Sequence, residues 1–420
     1  MQQSYSHRLT WKGWTGFTIV LALTFSGCFG PPRPLPPEEA LQQTSSRIDR
    51  ILDTAHTPGS VIPDRAVTLS DGPLEFWRHA HPVLDQAFAG PQGQKRFEQQ
   101  LRPHRIQSQF IGEWHFAVQK LSVTMAAGDL PDVTTVARGW VAPLAQSGRL
   151  LPLDTVLDSS IISDLPTPVR NAFSIDDRLY AIPLGNYCSV LLYNTEMIGT
   201  PPKTWDELRT VAQTLRAENP SERFHPIGHL PYIEALWSTG GRVVFGAQSG
   251  LERPEALETL EFLLELRDDE LLHPRTMNDP QWALSMFLRG QVAMTVISSR
   301  DWPLVDEMPA AMAPIPGRDA PVTRLMGDAV VAFAEAEDKR SDIAALLEHL
   351  IGPEIQGAAS ASKGSVPART SVAETIELPP GLAEAYGHAR SEPLHRDWDS
   401  IELEAIRGLD RAFRWRNEGD

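Results

Sequence analysis

Two aspartates stand close together in the segment GDLPD, where Asp129 and Asp132 surround a leucine and a proline. Such a pair could act as general acid and base, could hold a metal, or could shape a turn. Gly128 and Pro131 favour the turn, because glycine accepts backbone angles that other residues avoid and proline fixes its own. We interpret Asp129 as a backbone-bonding group in this turn and Asp132 as the start of a strand.

Other catalytic signatures are weak or missing in the sequence. Residues 360–363, SASK, match the S-x-x-K pattern of serine nucleophiles, but the companion K-T-G motif is absent. The patterns G-x-S-x-G, H-E-x-x-H and G-x-x-x-x-G-K-[ST] are also absent. His225 and His229, in HPIGH, have no cysteine or carboxylate at a recognisable ligand spacing. We therefore expect no catalytic residues, no metal and no cofactor.

Tryptophans beside turns are better candidates for contacts with a ligand. Of the 11 tryptophans, four lie among Gly, Ser, Asp or Arg residues: Trp114, Trp140, Trp237 and Trp302. A flat indole face stacks on a sugar ring while nearby polar groups bond its hydroxyls. Any one of the four could equally belong to a core, but four in similar settings favour a ligand cleft.

Short apolar strands alternate with amphipathic helices along most of the chain. The helix TWDELRTVAQTLRAE opens with a capping box formed by Thr204 and Glu207. Residues 254–270 and 341–352 have the same helical spacing. We predict strands at residues 65–69, 105–111, 132–136, 179–183, 190–194, 292–298 and 329–334. This alternation predicts α/β lobes built on mixed or parallel sheets.

The first 27 residues have the layout of a secretory signal. Arg8 and Lys12 precede an apolar run that is too short to span a bilayer and that stops at Ser-Gly-Cys. This ending resembles the bacterial lipobox, in which Cys28 becomes the lipid-modified first residue of the mature chain. An uncleaved anchor helix is the alternative. Both interpretations place the rest of the chain outside the cytoplasm.

Charge and cysteine content restrict the partners further. The formal net charge is −16, and loss of Arg8 and Lys12 with the signal would make it −18. Because a surface this acidic repels the phosphate backbones of nucleic acids, we expect no nucleic-acid partner. With Cys28 lipidated, Cys188 is the remaining thiol and no internal disulfide can form.

A proline-rich segment follows Cys28. Five prolines occur in the ten residues 30–39, which is typical of a stiff spacer between a membrane and a domain. A short helical patch, SSRIDRILDTA, comes next. We expect residues 28–64 to form the tether, with the globular body starting near Asp64.

Several segments resemble a known family. MAAGDLPDVTTVARGWVAPLAQSGRLLPLD is similar to the signature of bacterial extracellular solute-binding proteins of family 1, which serve sugar ABC importers and include maltose-binding proteins. RLYAIPLGNYCSVLLYNTEMIGTPPKTWDEL resembles the family's crossover strand and helix entry, and FLRGQVAMTVISSRDW its G-x-x-A-M strand and Trp loop. SKGSVPAR resembles its late Pro-x-Arg turn. These segments follow one another in the family's order.

The resemblance implies an α/β, two-lobed periplasmic-binding-protein fold (type II), with the ligand cleft between lobes joined by hinge segments. It places residues 65–184 plus 315–360 in the N-terminal lobe and residues 187–310 plus 361–420 in the C-terminal lobe. The first crossing is expected at residues 183–187, where Gly185 and Asn186 permit rotation. The second is expected near residues 311–316.

The resemblance and the tryptophan settings together nominate the ligand contacts. They are Trp114, Arg138, Trp140, Tyr187, Trp237, Ser299, Arg300, Trp302, Gly327, Asp328 and Arg369. Two departures from the family pattern leave the specificity open. The chain stops soon after RAFRWR, and the region after the first predicted strand is long and carries Trp77, His79 and His81.

The expected protein is a monomeric, lipid-anchored extracytoplasmic binding protein. It would capture a solute, with a carbohydrate favoured, and deliver it to the permease of an ABC importer by hinge closure. The family also serves polyamines, iron and phosphorylated compounds, so the fold alone does not name the ligand. A sensory lipoprotein without transport and a cleft hydrolase with two carboxylates remain alternatives.

Overall fold

The computed structural model describes residues 33–54, 72–274, 279–360, 364–392 and 395–415. Its strands are β1 Leu74–Arg78, β2 Ile106–Phe110, β3 Val133–Ala137, β4 Ser174–Ile175, β5 Arg178–Leu179, β6 Ile182–Pro183, β7 Tyr187–Asn194, β8 His225–Ile227, β9 Val244–Phe245, β10 Gln248–Ser249, β11 Val292–Ser298, β12 Ala310–Ala313, β13 Thr323–Met326, β14 Asp328–Ala332 and β15 Ala389–Arg390.

The helices are α1 Pro37–Thr54, α2 Pro82–Ala87, α3 Gly93–Gln100, α4 Trp114–Ala127, α5 Val141–Gln146, α6 Ser159–Asp164, α7 Thr167–Ala172, α8 Trp205–Glu218, α9 Tyr232–Ser238, α10 Pro254–Asp268, α11 Pro280–Leu288, α12 Arg340–Leu350, α13 Pro353–Ser360, α14 Thr370–Ala373, α15 Leu382–Gly387 and α16 Trp398–Arg414. Short 3₁₀ turns cover Arg138–Trp140, Leu153–Thr155, Ser299–Leu304 and Ala334–Lys339. The predicted α/β architecture is confirmed.

The first lobe is built on a five-stranded sheet with the order β2-β1-β3-β14-β6. Strands β1, β2 and β3 run parallel, and β14 lies antiparallel to both β3 and β6. Nearly every residue of β3 and β14 is buried, as is typical of a sheet covered by helices on both faces. We call this sheet and the helices on it the first lobe.

The second lobe is built on a sheet with the order β15-β13-β7-β11-β8, and β12 also pairs with β7. Strand β7 alternates between two cores. Cys188, Val190 and Leu192 face the hydrophobic cluster that continues into the first lobe, whereas Leu191 faces a separate cluster under α8, α9, α10 and α16. The second sheet is therefore buried on both faces, and one face joins the two lobes.

The chain passes between the sheets at three places. The first crossing lies at residues 184–186, between β6 in the first sheet and β7 in the second. The second lies at Gly327, between β13 and β14. The third begins after α13, where Val366 exchanges two backbone hydrogen bonds of 2.8 Å with Asn186. It is complete only after α14, because α14 still packs on α13 whereas α15 contacts β7, β12 and β13 of the second sheet.

The second crossing lies later in the chain than the sequence suggested. Residues 310–313 form β12 and pair with β7, and Ile315 pairs with Val322. Residues 315–326 therefore stay with the second sheet, and the chain returns to the first lobe at Gly327 rather than near residues 311–316. Conversely, α14 packs against α13, which contacts α2 of the first lobe.

Two of the predicted strands have no single counterpart among the described strands. Residues 65–69 lie outside the described residues. The first described strand is β1, which lies within the long region that follows that predicted strand. The predicted strand 179–183 is divided, because β5 pairs only with β4 in a separate hairpin. That hairpin turns at Asp176 and Asp177, both with positive φ.

The GDLPD segment is structural. Gly128, at φ 75°, ends α4 in the left-handed conformation that glycine adopts without strain. The Asp132 carboxylate accepts hydrogen bonds of 2.7 Å from the Glu75 backbone N–H and from Nζ of Lys339. Asp132 thus fixes the beginning of β3, and its carboxylate forms an ion pair with Lys339.

The expected tether contains a packed helix. The prolines of residues 31–37 end at the first residue of α1, a position that favours proline because the helix does not need its missing N–H. Side chains from α1 are buried against α16 and α10: Ala40, Leu41, Ile48 and Leu52. Residues 37–54 therefore belong to the second lobe, since burial of one apolar face outweighs the spacer-like composition before it.

None of the helices in the described part of the chain has both the length and the apolar composition needed to cross a membrane.

The packing of α1 gives a direct test. Ile48 is fully buried, so replacing it with alanine should lower the free energy of unfolding by about 2–5 kcal/mol through lost transfer energy and the cavity left behind. Urea unfolding measures the loss. Gln42→Ala, on the exposed side of the same helix, is the control and should change little. If the two variants were equally stable, α1 would not be packed on the second lobe and would act as a spacer.

Candidate ligand-binding cleft

Polar and aromatic side chains follow the strands of the first sheet at one edge. His79 and His81 come directly after β1, Trp114 begins the helix after β2, and Trp140 comes after β3. Since the carboxyl ends of parallel strands meet at the same edge, these side chains converge. Asp328 opens the antiparallel strand β14 and pairs with Ala137 at the end of β3, so it lies at this edge too.

The aromatic rings at this edge form a continuous series. The Trp114 and Trp140 rings are perpendicular with centroids 5.8 Å apart, and the Trp114 ring lies 5.0 Å from the His79 ring. Both tryptophans are half-buried. An indole that is partly accessible beside polar groups can stack on a ring-shaped ligand. The sequence placed these two tryptophans at a cleft, and the structure brings them together.

Asp328 is the acidic group of the site. Its Oδ2 lies 3.2 Å from Nε2 of His79 and 3.7 Å from Nε2 of His81. Burial alone would raise the pKa of Asp328, but the His79 hydrogen bond and the nearby His81, His79 and Arg300 lower it below its usual value. The carboxylate is therefore ionised at neutral pH. Its side chain retains 23% exposure, so it can accept hydrogen bonds from a ligand.

Both ring nitrogens of His79 have hydrogen-bond partners, whereas those of His81 have none among the described residues. The Nδ1 atom of His79 lies 2.5 Å from the Thr135 hydroxyl, and the His79 backbone N–H donates to the same oxygen at 2.9 Å. His81 is completely buried, and neither of its ring nitrogens has a hydrogen-bond partner within the described residues. Burial lowers the pKa of His81 to about 4, so it is neutral at pH 7 with one donor and one acceptor unused.

The second lobe contributes Tyr187 and Arg300 to the opposite side. Tyr187 begins β7 and Arg300 follows β11, which is antiparallel to β7, so both lie at the same end of the second sheet. The Tyr187 ring lies 6.0 Å from the His81 ring, and the Arg300 guanidinium lies 5.8 Å from the Tyr187 ring. Burial raises the pKa of Tyr187 to about 12, so its phenol stays protonated. The rings thus extend across both lobes.

Gly327 shapes the floor of this region. A Cβ atom at Gly327 would lie 2.8 Å from the carbonyl oxygen of Gly185, too close for any other residue. The second and first crossings therefore touch backbone to backbone directly before Asp328. Gly327 allows this approach because it has no Cβ, and its nomination as a ligand contact stays a prediction.

Arg138 has a role different from the one expected. It is buried, and its guanidinium donates to Glu392 Oε2 at 3.0 Å and to the Glu392 carbonyl oxygen. Glu392 follows β15 and also pairs with Arg324 of β13, so the contact joins the two lobes. Burial lowers the pKa of Arg138 to about 10, with Arg324 adding to the decrease and Glu402 opposing it. Arg138 thus links the lobes beside the cleft.

Four other nominated residues have structural partners. The Ser299 hydroxyl donates to the Gly364 carbonyl oxygen at 2.7 Å and accepts from the Cys188 N–H at 3.1 Å. Trp302, 4% exposed, lies in the hydrophobic cluster that joins the lobes. Trp237, 7% exposed, lies in the cluster under the second sheet. Arg369 donates to Asp164 at 2.7 Å in the first lobe.

The physical reason is the same for all four. A polar or turn-rich sequence neighbourhood does not fix which way a side chain faces, and distant segments supply the partners that bury it. We therefore retain Trp114, Trp140, Arg300, Gly327 and Asp328 as the cleft set, and add His79. Tyr187 and His81 are also buried, but they stay in the set because their rings meet each other across the lobe boundary.

The two histidines were noticed in the sequence but not nominated. They follow LEFWR, whose buried pattern and aromatic content are typical of a strand, and polar residues directly after a buried strand are the usual signal of a site. Placing the first strand at residues 65–69 hid that signal. Within the described ranges, His, Cys, Asp and Glu side chains form no group of three or more that could hold a metal.

The His81 pKa predicts how stability depends on pH. The unfolded chain takes up a proton near pH 6.5, whereas the folded chain does so near pH 4, so acid favours unfolding. Stability should fall by an amount on the order of 2–3 kcal/mol between pH 6.5 and pH 4 from this residue alone. His225 and His349, with pKa values also lowered by burial, act in the same direction.

Urea unfolding at several pH values tests this dependence. His81→Gln should show a shallower loss of stability between pH 6.5 and pH 4, while exposed His115→Gln should follow the unmodified chain. An unchanged slope in His81→Gln would show that His81 is not buried as a neutral ring.

The Arg138–Glu392 pair gives a second test. Glu392→Gln leaves the buried Arg138 guanidinium without its carboxylate, whereas Arg324 keeps Glu402, and should lower the free energy of unfolding by about 3–5 kcal/mol. Asp154→Asn breaks the exposed pair with Arg178 and should have a much smaller effect. Chemical denaturation of both variants makes the comparison. Equal small losses would mean that Arg138 is accessible and available to a ligand.

Comparison with known proteins agrees with this architecture. The family model for bacterial extracellular solute-binding proteins matches residues 95–384, which is more than half of the chain. The maltotriose-binding protein of Pyrococcus abyssi is 28% identical over 182 residues, covering 42% of this chain and 39% of that protein. The maltodextrin-binding protein MdxE of Bacillus subtilis is 26% identical over 195 residues, covering 43% and 45%. The aligned segment thus spans less than half the length of either relative.

Solved structures align over most of their length. The sugar-binding protein MalE of Xanthomonas citri superposes with a TM-score of 0.69 at 20% identity, covering 81% of this chain and 92% of that one. The cyclic alpha-maltosyl-1,6-maltose binding protein of Arthrobacter globiformis gives 0.67 at 20% identity, covering 81% and 96%. These similarities confirm the two-lobed periplasmic-binding-protein fold. The chain therefore belongs to the bacterial extracellular solute-binding protein family, whose members act outside the cytoplasm.

Proposed function

We propose that this protein captures a carbohydrate in the cleft between its lobes and delivers it to the permease of an ABC importer. One observation carries the proposal. Partly accessible Trp114 and Trp140 lie on one lobe with the ionised Asp328 and with His81, whose ring nitrogens make no hydrogen bond to the described residues. Tyr187 and Arg300 lie opposite them on the other lobe. Stacking faces next to planar polar groups suit a sugar ring and its hydroxyls.

The names of the similar proteins support the same ligand class. The relatives are named as binding maltotriose and maltodextrin, and the structural neighbours as binding sugars. A further neighbour, from Thermotoga lettingae, is described as an ABC transporter solute-binding protein bound with alpha-D-tagatose. We extend this use to the present chain because its cleft carries the groups that sugar binding needs.

Hinge closure would bring the two half-sites onto the ligand. Closure needs no chemical step, and a micromolar dissociation constant needs about 8 kcal/mol of net binding free energy. Several stacking and hydrogen-bond contacts supply this amount after the cost of ordering the ligand. Lipidation at Cys28 would hold the protein at the membrane where the importer lies.

The structure gives no support to hydrolysis by the GDLPD pair. A glycosidase needs two carboxyl groups about 5–10 Å apart that face one bond. Asp132 is held by Lys339 and the Glu75 backbone at the start of β3. A sensory lipoprotein would use the same cleft, and it differs in its partner rather than in its ligand.

Ligand screening by thermal shift and calorimetry tests the proposal. Maltotriose, maltodextrins and tagatose are compared with spermidine and ferric iron. A ligand at a hundredfold excess over its dissociation constant should stabilise the chain by about 2.7 kcal/mol. A response to spermidine or iron without any response to sugars would overturn the carbohydrate assignment.

Replacing Trp114 with alanine should then weaken sugar binding about tenfold, equal to about 1.4 kcal/mol, through the loss of a stacking face. Calorimetry measures the affinity, and the melting temperature checks that the fold is kept. Phe116→Ala is the matched control, because Phe116 is 57% exposed on another side of the same helix. If both variants bind sugar as well as the unmodified chain, Trp114 does not contact the ligand.

A further inference from the structure

The N-terminal helix α1 is fixed to the second lobe by apolar packing. Ile48 and Leu52 are buried among residues of the second-lobe cluster. Thr44 packs directly on Gly408 of α16, where an added Cβ would lie 1.7 Å from the Thr44 hydroxyl oxygen. Such close helix contact leaves α1 no freedom to act as a loose linker.

Polar contacts fix α1 at several points along its length. The Leu35 N–H, just before the helix, donates to the Arg411 carbonyl oxygen at 3.2 Å. The Arg411 guanidinium donates to Gln43 at 3.0 Å, and the Asp49 carboxylate accepts from the Ser249 N–H at 2.6 Å. These partners belong to α16 and β10, so the position of Leu35 is set by the second lobe.

The chain between Cys28 and Leu35 is short. Seven residues, even fully extended, span at most about 25 Å. A folded body of about 350 residues has a radius of gyration of about 20 Å, so its width is about twice the length of this segment. A lipid on Cys28 would therefore hold one particular end of the second lobe near the membrane surface.

We propose that α1 is a strap that ties the second lobe to the lipid surface, so that this lobe rather than the first is held next to the membrane. The inference rests on the lipidation at Cys28 in the proposed function. The lipid-facing end is where Leu35 meets the C-terminus of α16. Exposed Arg33 and Arg414 and partly exposed Trp415 lie within four residues of that contact, and such groups are favourable at anionic headgroups.

Energy transfer from the protein to a lipid dye tests the orientation. The lipidated full chain is placed in vesicles of phosphatidylcholine and phosphatidylglycerol that carry a headgroup dye. Cys188 is fully buried, so a single added cysteine can be labelled, either at Arg407→Cys on α16 or at Val123→Cys on α4 of the first lobe. Transfer from residue 407 should be about twofold higher or more, because the strap holds that end within reach of the lipid.

A longer linker provides the matched control. Inserting about 20 Gly/Ser residues after Cys28 adds about 25 Å of average reach and should remove most of the difference between the two labels. Hydrogen exchange on the soluble domain should show α1 protected like α16. Equal transfer from the two labels in the unmodified chain, or an α1 that exchanges freely, would overturn the strap.

Failure of the underlying assumptions gives a different result. If the unmodified chain stays out of the membrane fraction, as Cys28→Ser should, then the lipid anchor is wrong and so is the strap. Sugar binding by the soluble domain would be unaffected by that result. If the chain is anchored and binds sugar but the labels give equal transfer, only the strap is wrong.

Discussion

The contact among the three chain crossings is the constraint on which the rest of the structure depends. Gly185 and Gly327 approach backbone to backbone, and Asn186 exchanges two backbone hydrogen bonds with Val366. Gln356 joins the crossings from the side, since its amide donates to the Leu184 carbonyl oxygen and its own oxygen accepts from the Ala368 N–H. The residues that make these hydrogen bonds are buried, so leaving one of their polar groups unpaired is costly and the three crossings are held together.

This arrangement decides what the cleft can contain. The crossings join the sheets at the ends where β1 and β3 finish and β7 begins, so side chains at those ends face each other. His81 from the first lobe meets Tyr187 from the second within this space. The site is thus a consequence of how the sheets are joined, and its polar groups sit where the backbone changes lobe.

Two arginines near the cleft show how burial separates structure from binding. Arg138 is buried and donates hydrogen bonds to Glu392, so it links the lobes. Arg300 is exposed, its guanidinium near Tyr187 and Asp328. A guanidinium that is already paired with a buried carboxylate has few N–H donors left for a ligand. An accessible guanidinium can donate hydrogen bonds to the hydroxyls of a ligand as the lobes close.

The sequence by itself determined the local elements and the family resemblance. The Thr204 cap and the apolar period of α8 depend only on neighbouring residues, and both appear as predicted. The other half of the predicted capping box is displaced by one residue, because the Glu207 carboxylate accepts from the Lys203 N–H instead of the Thr204 N–H. The run 292–298 was likewise read correctly as a strand. Trp114 and Trp140 were nominated because each lies among polar and turn residues directly after a predicted strand.

Only the tertiary structure decided which side chains remain accessible at the edge of the first sheet and which are buried within the fold. Trp302 and Trp140 have similar sequence neighbourhoods, yet one is buried between the lobes and the other is partly accessible. Arg138 meets Glu392 across 254 positions of the chain, and α1 meets α16 from the other end of the sequence. Such pairings depend on how distant segments pack, and the local sequence pattern does not specify that packing. Which side chains are buried, and which residues they contact, therefore became known only from the fold.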